Sequence, residues 1–203
     1  LKKILGHDAE ISVDVNRSWS FDRTMNWMRF LSDNNIAWIE EPLSPQDQHR
    51  YGELFERTEV PISAGENFLI PPGTDFQTEK EWGLSLNETN LALHIIQPAT
   101  VKNCCFYDAV RLIEIVERMG KKLYPHFLGS APGMAASAQL ASLTNKPHLE
   151  WDINPNPLRT SFFTVPFEGI DSYLKLTEAP GIGWDIRKEI IEEWTVNQVE
   201  VTA

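Results

Sequence analysis

Ile11-Ser12-Val13-Asp14, Ile36-Ala37-Trp38-Ile39-Glu40 and Pro61-Ile62-Ser63-Ala64-Gly65-Glu66 are three short, largely apolar runs, each closed by an acid. The acids stand 26 residues apart, from 14 to 40 and from 40 to 66. A β-strand with its returning helix takes about that length, since a βαβ unit needs roughly 30 residues. The spacing therefore places the carboxylates of Asp14, Glu40 and Glu66 at the same end of three consecutive parallel strands. Converging carboxylates repel unless a cation lies between them, and a hard, oxygen-preferring divalent ion such as Mg²⁺ is the matching occupant. Surface acids have no reason to keep the period of the fold. Glu41 supplies the contrast: next to Glu40, it points the opposite way by strand alternation, as an ordinary acid outside the cluster.

Outward from these runs the strand–helix alternation continues. Residues 20–34 carry Phe21, Met25, Met28, Phe30 and Leu31 at mostly helical spacing, with Ser20 as N-cap and Asn34-Asn35 as the stop. A second helix occupies 45–58. The stretch 69–92 opens on Pro71-Pro72-Gly73 and reads as a long loop with a short helix, a kind of segment often functional in compact domains. Leu93 to Ile96 predicts the fourth strand, 105–119 an amphipathic helix, and Lys121 to Tyr124 a fifth strand ending at Pro125-His126. A helix of small residues follows from Met134 to Leu143, His148-Leu149-Glu150-Trp151 predicts a sixth strand, and a C-terminal helix lies near 187–194.

Composition is that of a soluble globular protein: 203 residues, 42% hydrophobic and 23% charged. The net charge of −11 argues against nucleic-acid or anionic-membrane partners. No apolar run approaches the 18 residues of a membrane span, and no signal peptide is evident. The two cysteines, Cys104 and Cys105, are adjacent and lack metal-binding spacing, so a reducing cytoplasm is expected.

The acids also choose between the two parallel-sheet architectures. A doubly wound sheet binds ligands at one switch point, whereas in a (β/α)₈ barrel every strand end faces one mouth. The expectation is therefore an α/β, TIM-barrel chain represented from about its third strand onward, part of a longer protein. Residues 1–180 would form the partial, metal-binding barrel and 181–203 a C-terminal segment with a helix packed on it.

Asp14-Val15-Asn16, Trp38-Ile39-Glu40-Glu41-Pro42 and Gly65-Glu66-Asn67 resemble the three metal-binding motifs of the enolase superfamily. Gln97-Pro98, Pro125-His126, Leu149-Glu150-Trp151 and Pro180-Gly181-Ile182-Gly183 extend that resemblance to its mandelate racemase and muconate lactonizing enzyme branch. It implies a Mg²⁺-dependent barrel, normally preceded by an α+β capping domain, that abstracts the proton α to a carboxylate and stabilises the resulting enediolate. By position, Asp14, Glu40 and Glu66 match the metal ligands. Asn16 and Asn67 lie beside them as supports for ligands or substrate. Glu150 matches an acid that, kept protonated by an apolar or like-charged setting such as Trp151 and the neighbouring acids, donates to the enediolate. His126 matches the acid/base histidine.

Two departures narrow the chemistry. Ala99 stands where the racemase pattern has an aspartate that orients the histidine, and where other members have lysine. Cys104-Cys105 stand where a Gly-Gly pair is common. His126 then has three readings: general acid in a dehydration, a base oriented by another group with Lys102 nearby, or a structural histidine. The partner base would fall upstream of Leu1. The polar residues Asn16, Arg17, Asn67, Asn154 and Asn156 suit a hydroxylated carboxylate, so an acid-sugar dehydratase is the leading expectation. A racemase, epimerase or cycloisomerase of the same superfamily, or an inert metal-binding barrel, are the alternatives. A homo-oligomer is expected, as for most soluble enzymes.

Overall fold

The computed structural model describes residues 2–6, 8–67, 92–102, 104–197 and 199. The expected loop at 69–92 lies almost wholly outside them. Five strands form one parallel sheet in sequential order: β1 (Val13–Asp14), β2 (Ile39–Glu40), β3 (Ile62–Ala64), β4 (Ile95–Ile96) and β5 (Lys122–Leu123). Sequential order with every neighbour parallel is the wall of a barrel, in which each strand lies beside the next and the returns run outside.

The helices are α1 (Lys2–Leu5), α2 (Phe21–Asp33), α3 (Tyr51–Arg57), α4 (Phe106–Arg118), α5 (Ala131–Ser142), α6 (Pro157–Thr160) and α7 (Lys188–Trp194). A 3₁₀ turn over Gln48–Arg50 leads into α3. Helix α2 buries Phe21, Thr24, Met28 and Leu31 on one stripe, and the Ser20 hydroxyl accepts the Arg23 N–H at its start. The Asp47 carboxylate takes the Phe21 N–H at 2.8 Å, so two successive loops cap one helix. Asn35 adopts φ +50° just after the end of α2, the left-handed step that ends many helices. Helix α4 starts on Cys105, whose Sγ donates to the Asp108 carboxylate at 2.9 Å and accepts the Asp108 N–H. Cys104 is buried beside it, and that burial pushes its thiol up to about 12. Cys105 therefore works as the helix start.

Ile39, Ile62, Leu54, Leu112, Val116 and Leu123 join one core between the strands and their outer helices. A second cluster joins α5 to the C-terminal segment through Ala131, Ala135, Phe163 and Trp184. Two features depart from the sequence expectations. His148–Trp151 carries no strand hydrogen bonds: the segment lies against β5 through its side chains, with the His148 ring stacked on Tyr124 at 4.2 Å. A two-stranded antiparallel hairpin, β6 (Gly169–Ile170) with β7 (Tyr173–Leu174), was not foreseen, because four paired residues leave too little alternation to read. Among the described residues no helix is long and apolar enough to cross a membrane.

Candidate metal and acid–base site

Strand ends and the turns beyond them bring the predicted residues to one rim. Asp14 and Glu40 are register partners across β1 and β2. Glu66 is not their level neighbour: Glu40 pairs with Ser63, and Glu66 stands three residues further on. Adjacent strands of a tilted barrel are staggered, so equal sequence spacing and equal register are not the same thing. What returns Glu66 to the rim is Gly65, at φ +139°, whose backbone passes so close to Gln97 that an added Cβ would meet Gln97 N at 2.8 Å. Only glycine permits that approach.

Each acid rests on a protein donor. Asp14 accepts from the Asn16 backbone N–H at 2.8 Å and from Asn16 Nδ2 at 3.1 Å. Glu40 Oε2 accepts from Gln97 Nε2 at 2.8 Å and from Trp38 Nε1 at 3.4 Å. Glu66 Oε1 accepts from Asn67 Nδ2 at 2.8 Å and lies 3.8 Å from Lys102 Nζ, which itself donates to Asn67 Oδ1 at 2.7 Å. Glu66 Oε2 lies 2.9 Å from His126 Nε2.

His126 is thus oriented without residue 99, and not by Lys102. Its Nδ1 lies 3.1 Å from Glu150 Oε2 on the other side, within ion-pair distance though without hydrogen-bond alignment. The same Glu150 oxygen takes the Phe127 N–H at 2.7 Å. Ala99 is fully buried. Burial alone would lower His126, but the Glu150 and Glu66 carboxylates outweigh it and hold the imidazole up at about 10. The reciprocal effect, led by the His126 hydrogen bond, brings Glu66 down to about 2. Burial lifts Glu40 above the usual carboxylate range against the Gln97 hydrogen bond, with Asp14 and Glu150 adding repulsion.

Oxygen-only donors and mutually repelling carboxylates fit a hard divalent cation. Among the described residues, however, no three His, Cys, Asp or Glu side chains are drawn closely enough together to hold one ion. Each carboxylate instead rests on its own partner, Glu66 on His126 at 2.9 Å.

Other expectations change. Glu41 is not an ordinary outlying acid. It leaves the strand at φ +43°, so alternation no longer governs it, and it is only 2% exposed. Its Oε1 accepts the Gly65 N–H at 3.1 Å, and its Oε2 lies 3.7 Å from Arg17 Nε. Burial raises its carboxyl above the normal range. With Asn16 (φ +52°) and Arg17 (φ +57°) it makes three non-glycine residues in left-handed backbone beside the acids. Such conformations cost of order 1–3 kcal/mol each and cluster at functional sites. The sequence signal was the doubled Glu40-Glu41.

Trp151 does not enclose Glu150 but packs edge-on against Phe167, and the Glu150 side chain is 41% exposed. Asn154 turns back on Asp152, which holds Arg159 at 2.7 Å, and Asn156 donates to Gly129 O at 3.0 Å. Asn154 therefore closes its own turn, and Asn156 ties two loops together. Gln97 and Trp38, given no site role from sequence, touch Glu40 directly. Two residues before Glu40, His126 and Glu150 stand Trp38, Tyr124 and His148, whose rings meet at 4.2–6.0 Å.

A parallel barrel wall with acids and a histidine at its strand ends defines a TIM-barrel protein. The chain belongs to the enolase C-terminal domain-like family, whose model matches residues 1–190. It is 24% identical over 194 residues to arabinonate dehydratase of Saccharolobus solfataricus, covering 96% of this chain and 49% of that protein. It is 21% identical over 203 residues to D-galactarolactone cycloisomerase of Agrobacterium fabrum, covering 96% and 51%. L-Talarate dehydratase from Polaromonas sp. JS666, solved with Mg and L-glucarate, superposes with a TM-score of 0.78 at 22% identity, over 100% of this chain and 51% of that one. The chain spans about half the length of the relatives it matches. They include lyases and isomerases acting on small carboxylates or acid sugars.

Proposed function

We propose that this chain supplies the metal-binding and acid-donating part of a Mg²⁺-dependent acid-sugar dehydratase. The observation that carries the reading is His126 held between Glu66 and Glu150 on the rim that also bears Asp14 and Glu40. Asp14, Glu40 and Glu66 would hold the ion. Bound there, Mg²⁺ would act as a Lewis acid on the substrate carboxylate, a contribution worth several kcal/mol.

The protein's own groups do the rest. His126 would deliver a proton to the departing β-hydroxide, which leaves as water, while the α-proton passes to a base on the opposite face. Glu150 lies beside His126, where it would hold the imidazole in register. Asn16 and Asn67 support the carboxylates of Asp14 and Glu66. Residue 99, an alanine with no proton-transfer group, favours chemistry on one face over racemisation.

A racemase or cycloisomerase is the second reading, favoured by Lys102, whose ammonium reaches Asn67 and the neighbourhood of Glu66. Screening the intact protein against acid sugars with Mg²⁺, and with EDTA as control, tests the main reading. Turnover that needs Mg²⁺ and disappears in Glu66→Gln supports it. Metal binding without turnover on any acid sugar points to an inert barrel. Solvent deuterium entering both faces of the α-carbon would replace dehydration with the second reading.

A further inference from the structure

We propose that Glu41 is a positioning residue: its buried carboxylate accepts the Gly65 N–H and thereby sets the turn that carries Glu66 and Asn67 to the rim. This rests on the reading of Glu66 as a metal ligand.

Four observations combine. First, Glu41 is 2% exposed, and a carboxylate is withdrawn from water only at a cost that its contacts must repay. Second, its contacts point to two rim turns at once: Oε1 takes the Gly65 N–H, and Oε2 faces Arg17 at 3.7 Å without a hydrogen bond. Third, the backbone repeats those connections, with Arg17 N–H donating to Glu41 O at 2.7 Å and Glu41 N–H to Ser63 O at 2.9 Å. Residue 41 therefore bridges the turns after β1 and β3. Fourth, Gly65 has no side chain by which its orientation could be held, and Gln97 crowds the face where one would be. Its N–H is a handle that the Glu41 carboxylate takes at 3.1 Å. Gln97 in turn donates to Glu40, so a shift at Gly65 would disturb two of the three acids.

Outer partners that orient ligands typically change metal affinity 10- to 100-fold when lost. Two conservative variants separate reach from charge. Glu41→Asp keeps the charge but withdraws the acceptor from Gly65; Glu41→Gln keeps an acceptor oxygen at full reach and drops the charge. Mg²⁺ affinity, measured by titration calorimetry without substrate, should fall about 10-fold or more in Glu41→Asp and stay within about threefold of wild type in Glu41→Gln. Hydrogen exchange at the Gly65 amide, read in EDTA, should be slow in wild type and Glu41→Gln and fast in Glu41→Asp. A Glu41→Asp protein with wild-type affinity and a protected Gly65 amide overturns the proposal, as does a Glu41→Gln protein weaker than Glu41→Asp. Wild-type protein that binds no Mg²⁺, or a Glu66→Gln variant that binds it unchanged, overturns the metal reading instead. The exchange measurement then still decides the hydrogen bond on its own.

Discussion

The acids at the ends of β1 to β3 and the pair His126 and Glu150 are built by different means. In the first region each acid has a support close in sequence: Asn16 is two residues from Asp14, Trp38 two from Glu40, and Asn67 adjacent to Glu66, with Gln97 reaching Glu40 across 57 residues as a distant addition. In the second the supports arrive from far along the chain, with Glu66 and Glu150 on either side of His126 and Phe127 reaching Glu150 across 23 residues. Local supports are set by short turns as the strands end. Distant ones exist only once the wall has closed up. The carboxylate region is therefore the part that short motifs can encode, and the histidine region depends on the fold being complete.

Four measurements would break or sharpen that contrast. Glu66 belongs to both regions, so Glu66→Gln should have the largest effect: Mg²⁺ affinity and turnover should fall by more than the roughly 100-fold upper range of outer-partner changes, read by calorimetry and steady-state kinetics. Gly65→Ala should destabilise the fold by about 1–3 kcal/mol in urea denaturation, because alanine must adopt φ +139° against the Gln97 backbone.

The Glu66–His126 pair gives a pH signature. His126 is raised in the folded state, so the stability it contributes is complete below pH 6.5 and is lost as pH rises through about 10. Glu66 is depressed, so its share is present above pH 4.5 and fades as pH falls through about 2. Denaturation in EDTA should show both limbs in wild type. His126→Gln should lose the alkaline limb and flatten the acid one. The smallest effect is expected for Asn156→Ala, which cuts the tie to Gly129: about 1 kcal/mol or less of stability, with Mg²⁺ affinity unchanged. An altered affinity there would show that the two regions are coupled through the loops.

The same contrast explains what could be read in advance. The barrel wall, the Ser20 cap and the meeting of Asp14 with Glu40 follow from periodicity and local turn chemistry. Glu41 was misjudged because strand alternation stops at a residue with φ +43°. Glu66 reaches the rim for a reason the 26-residue spacing does not contain, namely a close backbone approach that only glycine allows. Asn154 and Asn156 read as mouth-lining groups because side-chain polarity does not say whether the partner is a substrate or a neighbouring loop. His148–Trp151 reads as a strand in the strand–helix alternation, yet it meets Tyr124 and Phe127, just beyond β5, through a ring and a carboxylate.

The half-buried plate of Trp38, Tyr124 and His148 has a consequence for descent with change. Each of its rings sits two residues behind a candidate chemical group, so the plate forms a ring layer just beneath the rim. Substitutions above that layer can accumulate without passing into the interior. A lineage built this way can vary its rim residues while inheriting the same foundations.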